Sequence, residues 1–166
     1  MAENAATTDE DLHRLPTDQE LTRLQRTTVL YYLHETNPDN GLVRDKTEPA
    51  APCSIAAVGL AMATLQVIVE RGVLIRKFAA KIARRRLLSL LDLPQGPGPD
   101  AAGHKGFFYH FLDIDTGRRV WDCELSTLDS AFLFAGVLTC ATYFDAESSV
   151  DSSQSQTRRP VSGGAP

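Results

Sequence analysis

The chain has 166 residues, 43% of them hydrophobic and 23% charged, with a net charge of −4. That is the composition of a soluble globular chain long enough for one cored domain, and its negative balance gives no general attraction to nucleic acid or an anionic membrane. Three widely spaced cysteines, Cys53, Cys123 and Cys140, with no Cys-x-x-Cys pair, imply unpaired thiols in a reducing compartment rather than a disulfide scaffold.

Residues 1–16 are polar and acidic, lack the basic start and apolar run of a secretory signal, and are expected to be disordered. A cytoplasmic location follows as the expectation. Thr17 with Glu20 has capping-box spacing, and Leu21, Leu24, Thr28 and Tyr31 recur at helical intervals, widened by Tyr32 and Leu33. Asn37-Pro38-Asp39-Asn40-Gly41 should stop that helix, because Pro38 restricts Asn37 and Asn40-Gly41 favours a turn. Ser54 caps a second predicted helix, running to Glu70 and closed by Gly72. Its residues are apolar on every side, so it should be enclosed by other elements. The run is too short for a membrane span and includes Thr64 and Gln66. A third helix, about Ile75 to Leu91, reads as amphipathic. Ile75, Phe78, Ala79 and Ile82 should face inward, with Lys77, Lys81, Arg84 and Arg85 on a solvated face.

The Pro/Gly-rich stretch 93–103 is predicted loop. Phe107–Leu112 and Arg118–Trp121 then read as a hairpin turning through Asp113, Asp115, Thr116 and Gly117. Ser126 and Asp129 have capping-box spacing for a last helix reaching Phe144, apolar nearly all round. Ala131, Ala135, Gly136 and Ala141 are small enough there for close helix packing. Residues 146–166, rich in Ser and Gln, should be a disordered tail. Two wholly apolar helices among four are too many for a small bundle, whose helices need one wet face. The pattern implies part of something larger.

NPDNGLVRDK (37–46), SIAAVGLAMA (54–63), PQGP (94–97), the long run 103–139 and YFD (143–145) together resemble the bacterial glucoamylase-like family. That family includes the endo-β-1,2-glucanases, and related domains occur in cyclic β-1,2-glucan synthases. The resemblance is collinear from about Asp18 to Asp145. It implies an all-α fold, the N-terminal part of an (α/α)6 toroid with a small β-hairpin insertion. It also implies inverting hydrolysis of a β-glucan, plausibly β-1,2-linked, with neither metal nor cofactor. A twelve-helix ring needs on the order of 350–450 residues at ordinary helix and loop lengths. The expectation is therefore an incomplete barrel over residues 17–145, as in a truncated or frame-shifted product.

Inverting hydrolysis needs a protonated acid and a water-activating carboxylate roughly 6.5–9.5 Å apart. Glu124, following Trp121 and Cys123 and just before a buried helix, is the candidate acid, since partial burial would hold its proton; a carboxylate there could also simply favour the positive helix end. Asp129 is the other candidate catalytic carboxylate, with capping as its alternative role. Asp113 and Asp122 flank the hairpin as candidate sugar contacts or ordinary surface, whereas Asp115 reads as a turn residue. Tyr109, His110 and Trp121 could line a sugar subsite or pack the hairpin. The resemblance adds Arg44 and Asp45 at the cleft edge, against the simpler reading of a surface ion pair. His34, Glu35 and His104 lack metal-ligand spacing, and no nucleotide-binding or hydrolase motif occurs. The expected ligand is a glucan oligosaccharide or polysaccharide, with no nucleic acid and no membrane. The chain alone is expected to be nearly inactive. The alternatives are a helical module that binds a complementary polypeptide, or a gene product without a function of its own.

Overall fold

The computed structural model describes residues 14–155, with side chains as far as Asp145. Its first helix, α1 (Asp18–His34), opens as its sequence dictates. The Glu20 N–H donates to Thr17 Oγ1 at 3.3 Å, and the Thr17 N–H donates back to Glu20 Oε2 at 2.7 Å. The apolar residues of α1 find little to cover them. Val29 is buried and Tyr31 and Tyr32 pack half-buried against the core, while Leu21, Leu24, Leu30 and Leu33 are exposed, so only the C-terminal part of the predicted inward stripe forms. The turn that follows places Gly41 at φ +76°, and Leu42 and Val43 then run into the core.

A two-residue strand, β1 (Cys53–Ser54), leads into α2 (Ile55–Glu70), whose start Ser54 caps by accepting from the Ala57 N–H. At its far end the Gly72 N–H donates to Val69 O and the Val73 N–H to Ile68 O, with Gly72 at φ +67°. This is the glycine-terminated stop expected from the sequence. The third helix, α3 (Arg76–Asp92), buries Ala79, Ala83, Arg86 and Leu90. Ala79 is buried and Ile82 packs half-buried on the core as expected, whereas Ile75 and Phe78 are exposed, so the buried face is shifted from the predicted one.

The segment after the Pro/Gly loop corrects the single predicted hairpin. It holds β2 (Gly103–His104), β3 (Phe107–Tyr109), β4 (Phe111–Leu112) and β5 (Leu125–Ser126). Strands β2, β3 and β5 form one antiparallel sheet in that order, and β1 pairs with β4 in another. Phe107–Leu112 is therefore split at His110 between two sheets. Its N–H donates to Glu124 O at 3.1 Å, and its carbonyl accepts from the Ile55 N–H at 3.2 Å. The turn at 113–117 is present, but of the predicted second strand only Arg119 bridges to Leu112. Trp121 and Asp122, at φ +56° and +50°, turn the chain away from any ladder.

The last helix, α4, spans Thr127–Ser155. It runs past Phe144, where the sequence placed its end, because no Gly or Pro interrupts 145–155. The expected disorder of 1–16 and 146–166 otherwise falls outside the described residues, apart from residues 14–16 and the helical backbone of 146–155. Helices α2 and α4 cross in backbone contact. A Cβ on Gly136 would lie 1.9 Å from the Gly59 carbonyl oxygen, and one on Gly59 would lie 2.3 Å from that of Phe132. Of the small residues expected to serve this packing only Gly136 does so, since Ala131, Ala135 and Ala141 face outward.

Leu133 and Cys140 extend the α2–α4 contact, and Leu133 joins Leu42, Val43, Ile55, Val58, Phe108 and Leu112 in the larger core. The rest of α4 is uncovered. Leu128, Phe132, Phe134 and Leu138 are exposed, contrary to the interior position expected for the whole helix. Within α4, Thr127–Asp145 is long and apolar enough to cross a membrane by length and composition.

Candidate functional site

The sheet switch at His110 and the start of α4 bring three of the predicted residues together. Ser126 opens α4: its Oγ accepts from the Asp129 N–H at 3.1 Å and donates to Asp129 Oδ2. Asp129 thus has the capping geometry, and its side chain is only 16% exposed. The His110 Nδ1 lies 2.9 Å from Glu124 Oε1, and its Nε2 lies 3.8 Å from Asp129 Oδ2. One imidazole therefore stands between the two carboxylates, fixed by the backbone bonds that tie His110 to Glu124 and Ile55. Its ring stacks on Phe111 with centroids 3.7 Å apart, and Phe111 meets Trp121 edge-on at 5.7 Å. Trp121 is 72% exposed, so an aromatic face stands in solvent near the acids. An open indole beside carboxylates can stack on one face of a sugar ring while the acids bond its hydroxyls.

Glu124 does not have the environment expected of it. Its side chain is 65% exposed. Hydrogen bonding from its own backbone N–H, then from His110, holds its carboxyl below the usual range. In this chain Glu124 is an ionised carboxylate at neutral pH, not a carboxylic acid. Because its folded pKa is depressed, its small contribution to stability is present above the unfolded value of about 4.3 and is lost as pH falls through the folded one. Replacing His110 by Ala is expected to move the Glu124 titration upward but not fully to its ordinary position, since the larger cause is Glu124's own N–H. Carboxyl NMR across pH 2–7 would reveal this; an unmoved titration would mean that the His110 contact is not populated in solution.

His110, Glu124 and Asp129 each offer one ligand atom within 4.8 Å of the others. The same three residues are the one His/carboxylate grouping among the described residues with donor atoms close enough for a cation. Their donors are already engaged, Glu124 with His110 and Asp129 with Ser126.

The other candidates lie apart from this cluster or serve the fold. Asp113 Oδ1 accepts from the Thr116 N–H and Oγ1, both at 2.8 Å, and from the Asp115 N–H. Those bonds hold its carboxyl below the usual range, the Thr116 N–H contributing most. Asp115 is the turn residue expected, with its carboxylate accepting from Asn37 Nδ2 at 2.9 Å. Tyr109 is buried, and the Arg119 guanidinium lies 4.3 Å from its ring centroid, so Tyr109 takes the packing role. Asp122 is open to solvent, with Arg119 Nη1 3.8 Å from its carboxylate. Arg44 sits 3.6 Å from Glu35 and donates to Pro49 O; Asp45, its expected neighbour at the cleft edge, is exposed.

Sequence reasoning missed Arg119 and Cys123. Arg119 donates to the carbonyls of Cys123 at 2.7 Å and Asp122 at 2.6 Å, fixing the bend that carries Trp121. The Phe111 N–H donates to Cys123 Sγ at 3.3 Å. The available signal was the Arg118-Arg119 pair, which an extended chain turns to opposite sides.

No family model and no curated protein matches the sequence. Solved structures do. A candidate glucoamylase from Bacteroides uniformis matches with a TM-score of 0.59 and 25% identity over 75% of this chain and 30% of its own. A β-1,2-glucanase from Parabacteroides distasonis gives 0.66 and 24% over 78% of this chain and 18% of its own. An endo-β-1,2-glucanase from Chitinophaga pinensis, solved with sophorotriose and glucose, gives 0.57 and 18% over 74% of this chain and 30% of its own. The chain is thus similar to glucoamylase-like and endo-β-1,2-glucanase structures and has the fold of a part of them, with four helices and small antiparallel sheets among the described residues. It spans less than a third of each of these three.

Proposed function

We propose that this partial glucoamylase-like chain belongs to a glycoside hydrolase acting on a β-glucan, with β-1,2-linked glucose as the substrate and an (α/α)6 toroid as the complete fold. One observation carries the reading. In a fold similar to β-1,2-glucanases, the exposed Trp121 stands beside the His110–Glu124–Asp129 cluster at the head of α4. In the proposed mechanism Glu124 is the proton donor. Its carboxyl, ionised and exposed here, would need the missing cleft wall and the bound sugar to raise its pKa by desolvation. His110 would position Glu124, and Asp129 would hold the head of α4. The carboxylate that activates water would come from outside this chain, since Asp129 is engaged with Ser126 as the cap of α4. It follows that the chain alone should hydrolyse little or nothing.

The test is to join the chain to the helices that complete a homologous ring and measure reducing ends released from β-1,2-glucan. Release is expected, and Glu124→Gln should lower it by about 100-fold or more, the share that a general acid supplies. An unchanged rate in that variant would refute Glu124 as the donor; a completed ring that leaves β-1,2-glucan intact would refute the substrate.

A second reading has its own support. The uncovered apolar surface of α1 and α4 suits burial against another polypeptide that carries the remaining helices. On that reading the chain is a helical interaction module, inactive but soluble and monodisperse when co-expressed with its partner.

A further inference from the structure

Two adjacent residues beside the candidate site are held in a conformation that side chains resist. Trp121 and Asp122 have φ of +56° and +50°, and the Cys123 N–H closes over them onto Val120 O at 3.1 Å. A β-turn with both central residues left-handed is normally filled by glycine, asparagine or aspartate. Asp122 suits it. A bulky aromatic does not, so Trp121 carries backbone strain. Burial does not offset that strain, because the indole is 72% exposed. A turn needed only to reverse the chain would be better served by glycine at 121. The conformation is therefore kept for where it puts the ring.

The turn is braced on two sides. The Val120 N–H donates to Phe111 O at 3.2 Å, and the Phe111 N–H donates to Cys123 Sγ at 3.3 Å. On the other side Arg119 Nε donates to Cys123 O at 2.7 Å and Nη2 to Asp122 O at 2.6 Å. Bonds from a charged donor are stronger than neutral ones. The guanidinium is itself fixed, 4.3 Å from the ring centroid of buried Tyr109, with its side chain 19% exposed. Phe111 then links the turn to the acids. Its ring meets Trp121 at 5.7 Å and His110 at 3.7 Å, and His110 lies 2.9 Å from Glu124.

We propose that Arg119 is a positioning residue for glucan binding: it locks the strained turn so that Trp121 stands ready to stack on a glucosyl ring beside Glu124. This rests on the glucan reading above and adds the residue that prepares the sugar contact. An indole already immobilised loses little freedom when a sugar stacks on it, so Arg119 acts on affinity through Trp121.

Trp121 is the only tryptophan of the chain, so its fluorescence reports this turn alone. The full chain, Arg119→Met and Arg119→Lys are compared, first without ligand and then titrated with a β-1,2-linked glucose trimer. In Arg119→Met the fast local component of the Trp121 anisotropy decay, separate from overall tumbling, should grow about twofold. The trimer should change the Trp121 emission saturably in the wild type and bind about tenfold more weakly to Arg119→Met. Arg119→Lys keeps a cationic donor without the planar fork and should fall between the two on both readouts. An arginine that serves only the fold would lower Tm and leave the anisotropy and affinity of the folded protein unchanged; that result would overturn the proposal. If Arg119→Met does not fold, the same comparison is decided by Arg119→Lys. A trimer that leaves wild-type Trp121 emission unmoved would remove the ring from the glucan reading, whereas trimer binding with equal affinity in all three proteins would keep that reading and refute the role of Arg119.

Discussion

Replacing Gly136 by Ala is expected to destabilise the fold by about 3 kcal/mol, the upper range for forcing extra volume into a packed interior. On an exposed helix the same change would stabilise by up to about 1 kcal/mol through helix propensity. Here sterics win, because the added methyl would lie 1.9 Å from the Gly59 carbonyl oxygen, and backbone cannot rotate aside as a side chain can. Gly59→Ala should behave alike, since its methyl meets the backbone of Phe132 and Leu133. The double variant should cost clearly less than the two single costs added, because helices already splayed by the first methyl have room for the second. Urea denaturation of the four proteins measures all of this. A neutral or stabilising Gly136→Ala would mean that α2 and α4 do not cross in backbone contact.

The chain alone is expected to self-associate at micromolar concentration, and Leu128→Glu with Leu138→Glu to shift it to a monomer. These side chains are 68% and 66% exposed on a helix whose packed side already holds Leu133, Gly136 and Cys140. Exposed apolar surface on this scale is what proteins bury against something else. The substitutions touch no core contact, so stability should change by no more than about 0.5 kcal/mol each. Light scattering and sedimentation across a dilution series separate the outcomes. A wild-type chain that stays monodisperse at high concentration would show that α4 needs no cover, and would remove the basis for the partner reading.

Much of the fold was readable locally. Thr17, Ser54 and Gly72 marked helix ends because capping depends on side chains within a few residues of the groups they satisfy. The all-round apolar character of 55–69 and 128–144 announced two helices with too little polar surface for a small bundle. For the candidate site, the sequence named His110, Glu124, Asp129 and Trp121 but could not join them. Their proximity depends on the register that pairs Tyr109 with Leu125 and on the change of sheet at His110.

What the sequence by itself determined, then, is where helices start and stop, the Ser126–Asp129 cap, and the resemblance to part of a glucoamylase-like domain. Only the tertiary structure decided that Glu124 is open and ionised, that Tyr109 is covered by Arg119, and that Arg86 lies in the core. Desolvation and charge pairing are set by groups distant along the chain, as Gly41 is from Arg86 and His110 from Glu124. Capping and periodicity have no such reach, so they fix elements without fixing which face of an element is wet.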